Sequence, residues 1–347
     1  MISKKIYTLA LAGLVSATVF AGNKDRAGSA GASELLINPW ARSSGWANAG
    51  VSSVKGLEAT FVNVAGLAFT PKTELQFSNS QWLVPSGVTI NNVGFAQRVG
   101  ETAVLGLTMM NMNIGDIPLG SEDNPDANLG TFTPKYNVLG LSFAKEFSNS
   151  IYGGITVKAV SEAINNVRAS GVAIDAGIRY VTGEKDQIKF GIALKNVGPT
   201  MSFKGDGLAY TFEQEFIGLV NPIAVEQRSA SFELPSLVTI GASYDFLFGE
   251  TQVLTLAGAF TSNSFSKDQF SGGAEYTFTA DKAEFSLRGG YIYEGGDLAR
   301  AHTGLTAGLS IGLLFGENKS GASLDYSFRP ANNFAGTHCV GIRLNLQ

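Results

Sequence analysis

One cysteine, Cys339, and two histidines, His302 and His338, set narrow limits on chemistry in this 347-residue chain. A single cysteine excludes an internal disulfide and a cysteine-based zinc site. Two histidines far apart in the chain exclude a multi-histidine metal site. Nucleophilic catalysis needs a base oriented by an acid and set beside a nucleophile, and no local motif brings such a set together. On a strand, His338 and Cys339 point to opposite faces. His338 therefore reads as a hydrogen-bonding residue at a turn or rim, and neither a catalytic residue nor a metal or other cofactor is expected. Asp116, Glu122, Asp123 and Asp126 lie in 114–134, which holds no basic residue. Clustered carboxylates can bind Ca²⁺, but the Asp-x-Asp-x-Asp-Gly spacing is absent, so a solvated acidic loop is expected.

Two other sets of residues point to binding. Loop 198–234 is unusually apolar and carries Phe203, Tyr210, Phe212, Phe216 and Ile217. Exposed aromatics at a rim mark contact with a partner or ligand; the plainer alternative is a loop packed inward or lying along a bilayer interface. A hairpin of Met201–Lys204 with Leu208–Phe212, turning at Gly205-Asp206-Gly207, is expected there. The second set is Lys158, Asp175, Arg179, Lys189, Lys195, Glu275, Glu284, Arg288, Asp325 and Arg343, each on the polar side of a segment whose other side is apolar.

That alternation fixes the elements. From residue 74 onward, apolar and polar residues alternate with period two in fourteen runs, which read as strands with one apolar face. They cover 74–84, 88–98, 102–113, 136–147, 151–161, 172–182, 187–197, 235–247, 251–262, 270–279, 283–294, 303–315, 320–329 and 336–346. Ile188, Phe190, Ile192 and Leu194, for example, alternate with Lys189, Gly191, Ala193 and Lys195. All ten prolines avoid the strand interiors, as residues without a ladder donor must. Connections at one end are short, such as 99–101 and 148–150. Most at the other are long, among them 114–135, 162–171 and 198–234.

Strands of about ten residues with one-sided short turns describe a transmembrane β-barrel. A soluble β-sandwich shares the apolar face but has no reason to alternate its loops so regularly. The composition agrees: 16% charged residues against roughly 25% in soluble domains, 42 Gly and 23 Phe. With the outer wall in lipid, the ten charges must face the lumen. Strands five to seven sum to +3 there and strands ten to thirteen to −2, so pairing across the lumen, directly or through the hatch, is expected to hold the barrel plugged; an open ion pathway is the alternative.

Residues 1–21 read as a secretory leader: Lys4 and Lys5, an apolar stretch from Leu9 to Phe20, and Val19-Phe20-Ala21 before a cut at Gly22. Losing both lysines moves the formal charge from −4 to −6, which gives no support for nucleic-acid binding. Segment 22–73 lies outside the period-two pattern. Leu57, Phe61 and Val64 are spaced as on one helix face, so 55–67 reads as a helix ended by Gly66. This segment is expected to form a hatch in the mouth of a barrel spanning 74–347. An even strand number puts both termini on the short-turn, periplasmic side.

Several short matches then point to a family. Ala41, Arg42 and Gly45, then Asn63, Ala65, Gly66, Leu67 and Ala68, Asn196-Val197-Gly198-Pro199, Leu234-Pro235 and His338 resemble the motifs of the PorV/PorQ family. Val62 and Val64 stand where that family has Trp and Pro. The resemblance spans nearly all of 30–347 and implies a fourteen-stranded barrel like the FadL fatty-acid channel, in the outer membrane of a Gram-negative bacterium of the Bacteroidota. It implies a non-catalytic role in type IX secretion, as a scaffold or cargo shuttle. The protein partner would be the translocon barrel, the attachment complex or the C-terminal domain of a secreted cargo. A FadL-like transporter of small hydrophobic molecules is the alternative.

Overall fold

The computed structural model describes residues 26–120, 129–216, 219–295, 301–315 and 320–346, with backbone alone for 213–216 and 219–221. The expected leader lies outside the described residues. Eighteen strands are found among the described residues. The first nine are β1 (Thr73–Val84), β2 (Val88–Val99), β3 (Ala103–Asn113), β4 (Ile117–Pro118), β5 (Thr131–Phe132), β6 (Lys135–Ser148), β7 (Ile151–Ile164), β8 (Val167–Thr182) and β9 (Ile188–Val197). The second nine are β10 (Ala209–Phe216), β11 (Leu219–Glu226), β12 (Leu237–Phe248), β13 (Gln252–Asn263), β14 (Gln269–Thr279), β15 (Ala283–Glu294), β16 (Leu305–Phe315), β17 (Ser320–Arg329) and β18 (Gly336–Leu346).

Fourteen of these close into one antiparallel barrel in which β1 pairs with both β2 and β18. The remaining four form two small pairs, β4 with β5 and β10 with β11. The fold is thus the all-β, 14-stranded antiparallel barrel that the alternation requires. Apolar side chains such as Phe77, Phe95, Leu141 and Ile192 stand exposed on the outer wall, while their neighbours Gln76, Gly94, Ser142 and Gly191 are buried inside. An apolar outer band over a polar inner face suits a barrel set in hydrocarbon. No described helix is long and apolar enough to cross a membrane.

Three expectations about connections are corrected. The 162–171 stretch is not a loop: β7 and β8 remain paired up to Ile164 and Val167, leaving a tight Asn165-Asn166 turn. Beyond the lipid layer a strand needs no apolar face, so the alternation stops before the strand does. The loop hairpin pairs 209–216 with 219–226, not with 201–204. Met201 instead bridges to Phe232 and Lys204 to Arg168, and Asp206–Leu208 forms a 3₁₀ turn rather than a hairpin loop. The segment 55–67 is not one helix. A short helix, Ala59–Val62, stops at Asn63, whose extended backbone and side-chain bond to the Ala65 N–H start a separate 3₁₀ turn, Val64–Phe69. Gly66 lies inside that turn.

Residues 41–67 of the described chain occupy the lumen and coil once around the inner wall. Ala41 touches Gly341 on β18, Gly45 touches Gly308 on β16, and Trp46 touches Gly273 on β14. Val51 then meets Gly191 and Gly241 on β9 and β12, Asn63 meets Gly177 on β8, and Leu67 meets Gly106 on β3. Residues 26–37 lie at the long-loop end. Ala30 bridges to Glu233, and Ala32 and Leu35 pack with Met201 and Leu234. The described chain therefore starts at the long-loop end and finishes at the other, with Leu346 opposite Thr73. Strand parity alone puts the two ends together; it does not count the pass that the hatch makes through the lumen.

Candidate functional site

Asn63 is the pin between hatch and wall. Its amide donates to the Val51 carbonyl at 2.8 Å and to the Ile178 carbonyl of β8 at 3.1 Å, while its oxygen accepts from the Ala65 N–H at 3.2 Å. A Cβ on Gly177 would fall 2.1 Å from that oxygen, so only glycine admits the pin. Glu58, 1% exposed, accepts from the Ser43 N–H at 2.7 Å, from the Arg42 N–H at 3.3 Å and from Gln76 of β1 at 2.8 Å. Burying the Asn63 and Glu58 side chains is tolerable because both find several partners.

The lumen-facing charges pair locally and with the hatch, not directly from wall to wall. Lys158 lies 2.5 Å from Asp175 on the adjacent strand and 2.9 Å from the Asn196 side chain. Lys189 pairs with Asp245. Arg288 and the hatch residue Arg42 converge on Glu275 at 2.8 and 2.7 Å. Arg179 donates to the Val54 carbonyl at 2.8 Å and lies over the Phe69 ring; Lys195 lies over the Phe61 ring. Asp325 accepts from Ser310, and Arg343 donates to Ser323 at 3.2 Å. Glu284 is half-buried in β15. Direct pairing from wall to wall is replaced by pairing with the hatch, as Arg42 with Glu275, or with a neighbouring strand, because hatch side chains occupy the space between the walls. Asp245 and Arg42 are the partners that sequence reasoning omitted. Asp245 shares its strand phase with Thr239, Gly241 and Ser243, which is the signal that could have found it; Arg42 stands out only through the Ala41-Arg42-Gly45 resemblance, which does not point to a charge partner.

Of the loop residues, Phe203 packs against Phe232, and Met201 is buried against Gly171. Tyr210 and Phe212 stand 56% and 54% exposed on one face of the β10–β11 hairpin. Phe216 ends β10, and Ile217 lies outside the described residues. Asp116 accepts from Thr133; Glu122, Asp123 and Asp126 lie outside the described residues.

A small open-sided cavity of about 50 Å³ lies between the hatch and β2, β3, β6 and β7. Leu35, Trp40, Phe61, Met110 and Val138 supply its apolar lining, and Glu34, Asn92 and Lys158 supply polar groups. Glu34 is 3% exposed; burial, then the facing Glu162 carboxylate, raise its pKa to about 7. Lys55 is lowered to about 8, mainly by burial and then by Lys189 and Arg179. At the long-loop end, burial and the Arg329 charge lower His302 to about 4; its ring bonds Thr337 at 3.0 Å. His338 bonds the Tyr326 hydroxyl at 2.7 Å, while Cys339 faces inward toward the Pro39 carbonyl. No Gly-x-Ser-x-Gly elbow is expected from the sequence, and this is corrected: Gly308-Leu309-Ser310-Ile311-Gly312 has that spacing, yet it runs straight through β16 with Ser310 bonded to Asp325 and Arg288. An elbow needs a sharp strand-to-helix turn.

This architecture has solved counterparts. The CymD monoaromatic hydrocarbon channel superposes with a TM-score of 0.55 at 13% identity, covering 89% of this chain and 97% of CymD. The fold is that of the FadL-type barrels. The Pseudomonas putida toluene transporter TodX gives 0.54 at 13% identity over 89% and 97% of the two chains. A Pseudomonas aeruginosa FadL homologue gives 0.55 at 12% identity over 88% and 98%. No protein-family description and no curated protein sequence matches the chain. Within this FadL-type fold, the residues behind the PorV/PorQ resemblance are structural. Asn63, Gly66 and Leu67 seat the hatch, and Asn196 joins Lys158, the Pro235 carbonyl and Asp175.

Proposed function

We propose that this protein is a Gram-negative outer-membrane barrel that binds small, largely apolar molecules between its hatch and its wall and admits them across the membrane. The cavity beneath Trp40 carries this reading. It is lined by Leu35, Trp40, Phe61, Met110 and Val138 on the inside of the barrel. Concave, mostly apolar sites with a few polar groups are the usual form of small-molecule sites. The neighbours described as a hydrocarbon channel and a toluene transporter support it further. The test is binding of radiolabelled toluene to purified protein, with Val138→Trp as the cavity-filling variant. Saturable binding lost in the variant is expected; equal retention by both would overturn the reading. Because the hatch is pinned on all sides, single-channel recordings should show no stable large conductance.

A second reading rests on a different observation, the exposed Tyr210 and Phe212 of the β10–β11 hairpin. There the barrel is a non-catalytic scaffold or cargo shuttle of type IX secretion, and the hairpin grips the translocon barrel, the attachment complex or a cargo C-terminal domain. Affinity purification from native membranes separates the two readings. A retained protein partner lost in Tyr210→Asp/Phe212→Asp favours the scaffold.

A further inference from the structure

Three described lysines are buried inside the barrel, and one of them lacks an acid. Lys158 pairs with Asp175 and Lys189 with Asp245. Lys195 is 7% exposed, and its ammonium makes no ion pair or hydrogen bond with any described residue; it lies 3.6 Å from the centre of the Phe61 ring. A ring face answers one side of a cation, but an ammonium carries three donors, and a buried charge without a counter-charge is costly. The nitrogen is not sealed in by protein atoms. Its side chain borders a cavity of about 130 Å³ between the hatch and β9, β12, β13 and β14. Thr239, Thr261, Asn263, Gln269 and Ser271 line that cavity with hydroxyl and amide groups. It adjoins a larger cavity of about 320 Å³ at the long-loop end, with which it shares Ser266, Gln269 and Ile292. The charges along the two are Lys195 and Arg329 against Glu294, whose carboxylate is held by Ser266 and Gln269 at 3.3 Å each. Only Phe61 borders both this cavity and the one beneath Trp40.

We propose that the Lys195 cavity is a second binding site, for small hydroxylated carboxylates such as glycerate or lactate. The ammonium of Lys195 pairs with the carboxylate, and the hydroxyl and amide lining takes the ligand's hydroxyl groups. This goes beyond the apolar reading above and does not depend on it. A cavity of about 150 Å³ accepts benzene, so a ligand of about six or seven heavy atoms suits this one, and the adjoining cavity gives it a way in from the long-loop end. Cationic ligands are disfavoured because two cations face one already-bonded acid along that path. A neutral polyol leaves the ammonium unpaired. A plain alkanoate pairs it but sets methylenes against hydroxyl and amide groups that then lose hydrogen bonds.

The experiment is calorimetric titration of the purified full chain in detergent with glycerate, glycerol and butyrate. Glycerate should bind saturably and at least about tenfold tighter than glycerol, as a hydrogen bond to a buried charge implies, and tighter than butyrate. Lys195→Met should weaken glycerate at least about tenfold. No saturable binding of glycerate would overturn the proposal and leave water as the partner of the ammonium. Glycerol binding as tightly as glycerate would also overturn it, since charge would then play no part. Tighter binding of butyrate would overturn the hydroxylated class. Unchanged glycerate affinity in Lys195→Met would remove Lys195 from the site. Should that variant fail to assemble, Ser271→Phe on β14 decides instead: it fills the cavity and leaves the lysine in place, so it must abolish glycerate binding, and retention would overturn the assignment.

Discussion

Two parts of the chain depart from the strand pattern, the lumen segment before β1 and the outer loop between β9 and β12, and they handle their apolar residues in opposite ways. The lumen segment buries Trp40, Leu57 and Leu67 almost completely, against glycines that leave room for them on the wall. The outer loop buries only its root, through Met201 and Leu234, and leaves Tyr210 and Phe212 in the open. Both segments are rich in apolar residues, so composition does not separate them. What separates them is the receiving surface. The inner wall offers a Cβ-free site at many of the points where the hatch comes close. Tyr210 and Phe212, by contrast, meet solvent. The first is a structural joint; the second is a surface available to a partner.

The largest expected effect comes from closing one of those receiving sites. Gly177→Leu drives a side chain into Asn63 and should destabilise the hatch by about 3 kcal/mol or more, at the upper end for overpacking. It is read as loss of heat-resistant migration on a gel and as new protease sensitivity in 40–69. An unchanged Gly177→Leu barrel would erase the distinction between the two regions.

A smaller effect concerns protons. Glu34 in the hatch has its pKa raised to about 7 by burial and by Glu162. A carboxyl with a raised folded-state pKa stabilises most at low pH. That contribution is complete below its unfolded value near 4.5 and is lost as pH rises through about 7. Other groups titrate nearby, His302 among them, so the measure is the difference between wild type and Glu34→Gln. Relative to Glu34→Gln, the thermal midpoint of the wild type should fall between pH 5 and pH 8. A constant difference across that range would show that Glu34 ionises freely.

The smallest effect belongs to the outer hairpin. Tyr210→Ser with Phe212→Ser should change stability by less than about 0.5 kcal/mol, the usual range for exposed substitutions. A loss several times larger in thermal unfolding would mean that the two rings are packed in the assembled protein and that the loop resembles the hatch after all.

Much of this protein is written in its alternation. The strand count, antiparallel order, apolar exterior and inward placement of Lys158, Arg179 and Arg288 follow because a side chain in a strand can face only two ways, and lipid accepts only one kind. Even there the reading stops at the lipid boundary, which is why the upper parts of β7 and β8 look like loop. The inner glycines were legible as a count but not as a purpose. Gly177, Gly191 and Gly308 fall on the polar phase of their strands, yet nothing local reveals that a hatch residue presses on each.

Tertiary structure alone decided which charge meets which, where the hatch breaks, that it crosses the lumen to the far end, and that Glu34 and Asn92 face one cavity. Those are contacts between residues distant in sequence, such as Arg42 with Glu275 and Asn63 with Ile178. Periodicity reports which way a side chain points; it carries no record of what waits there.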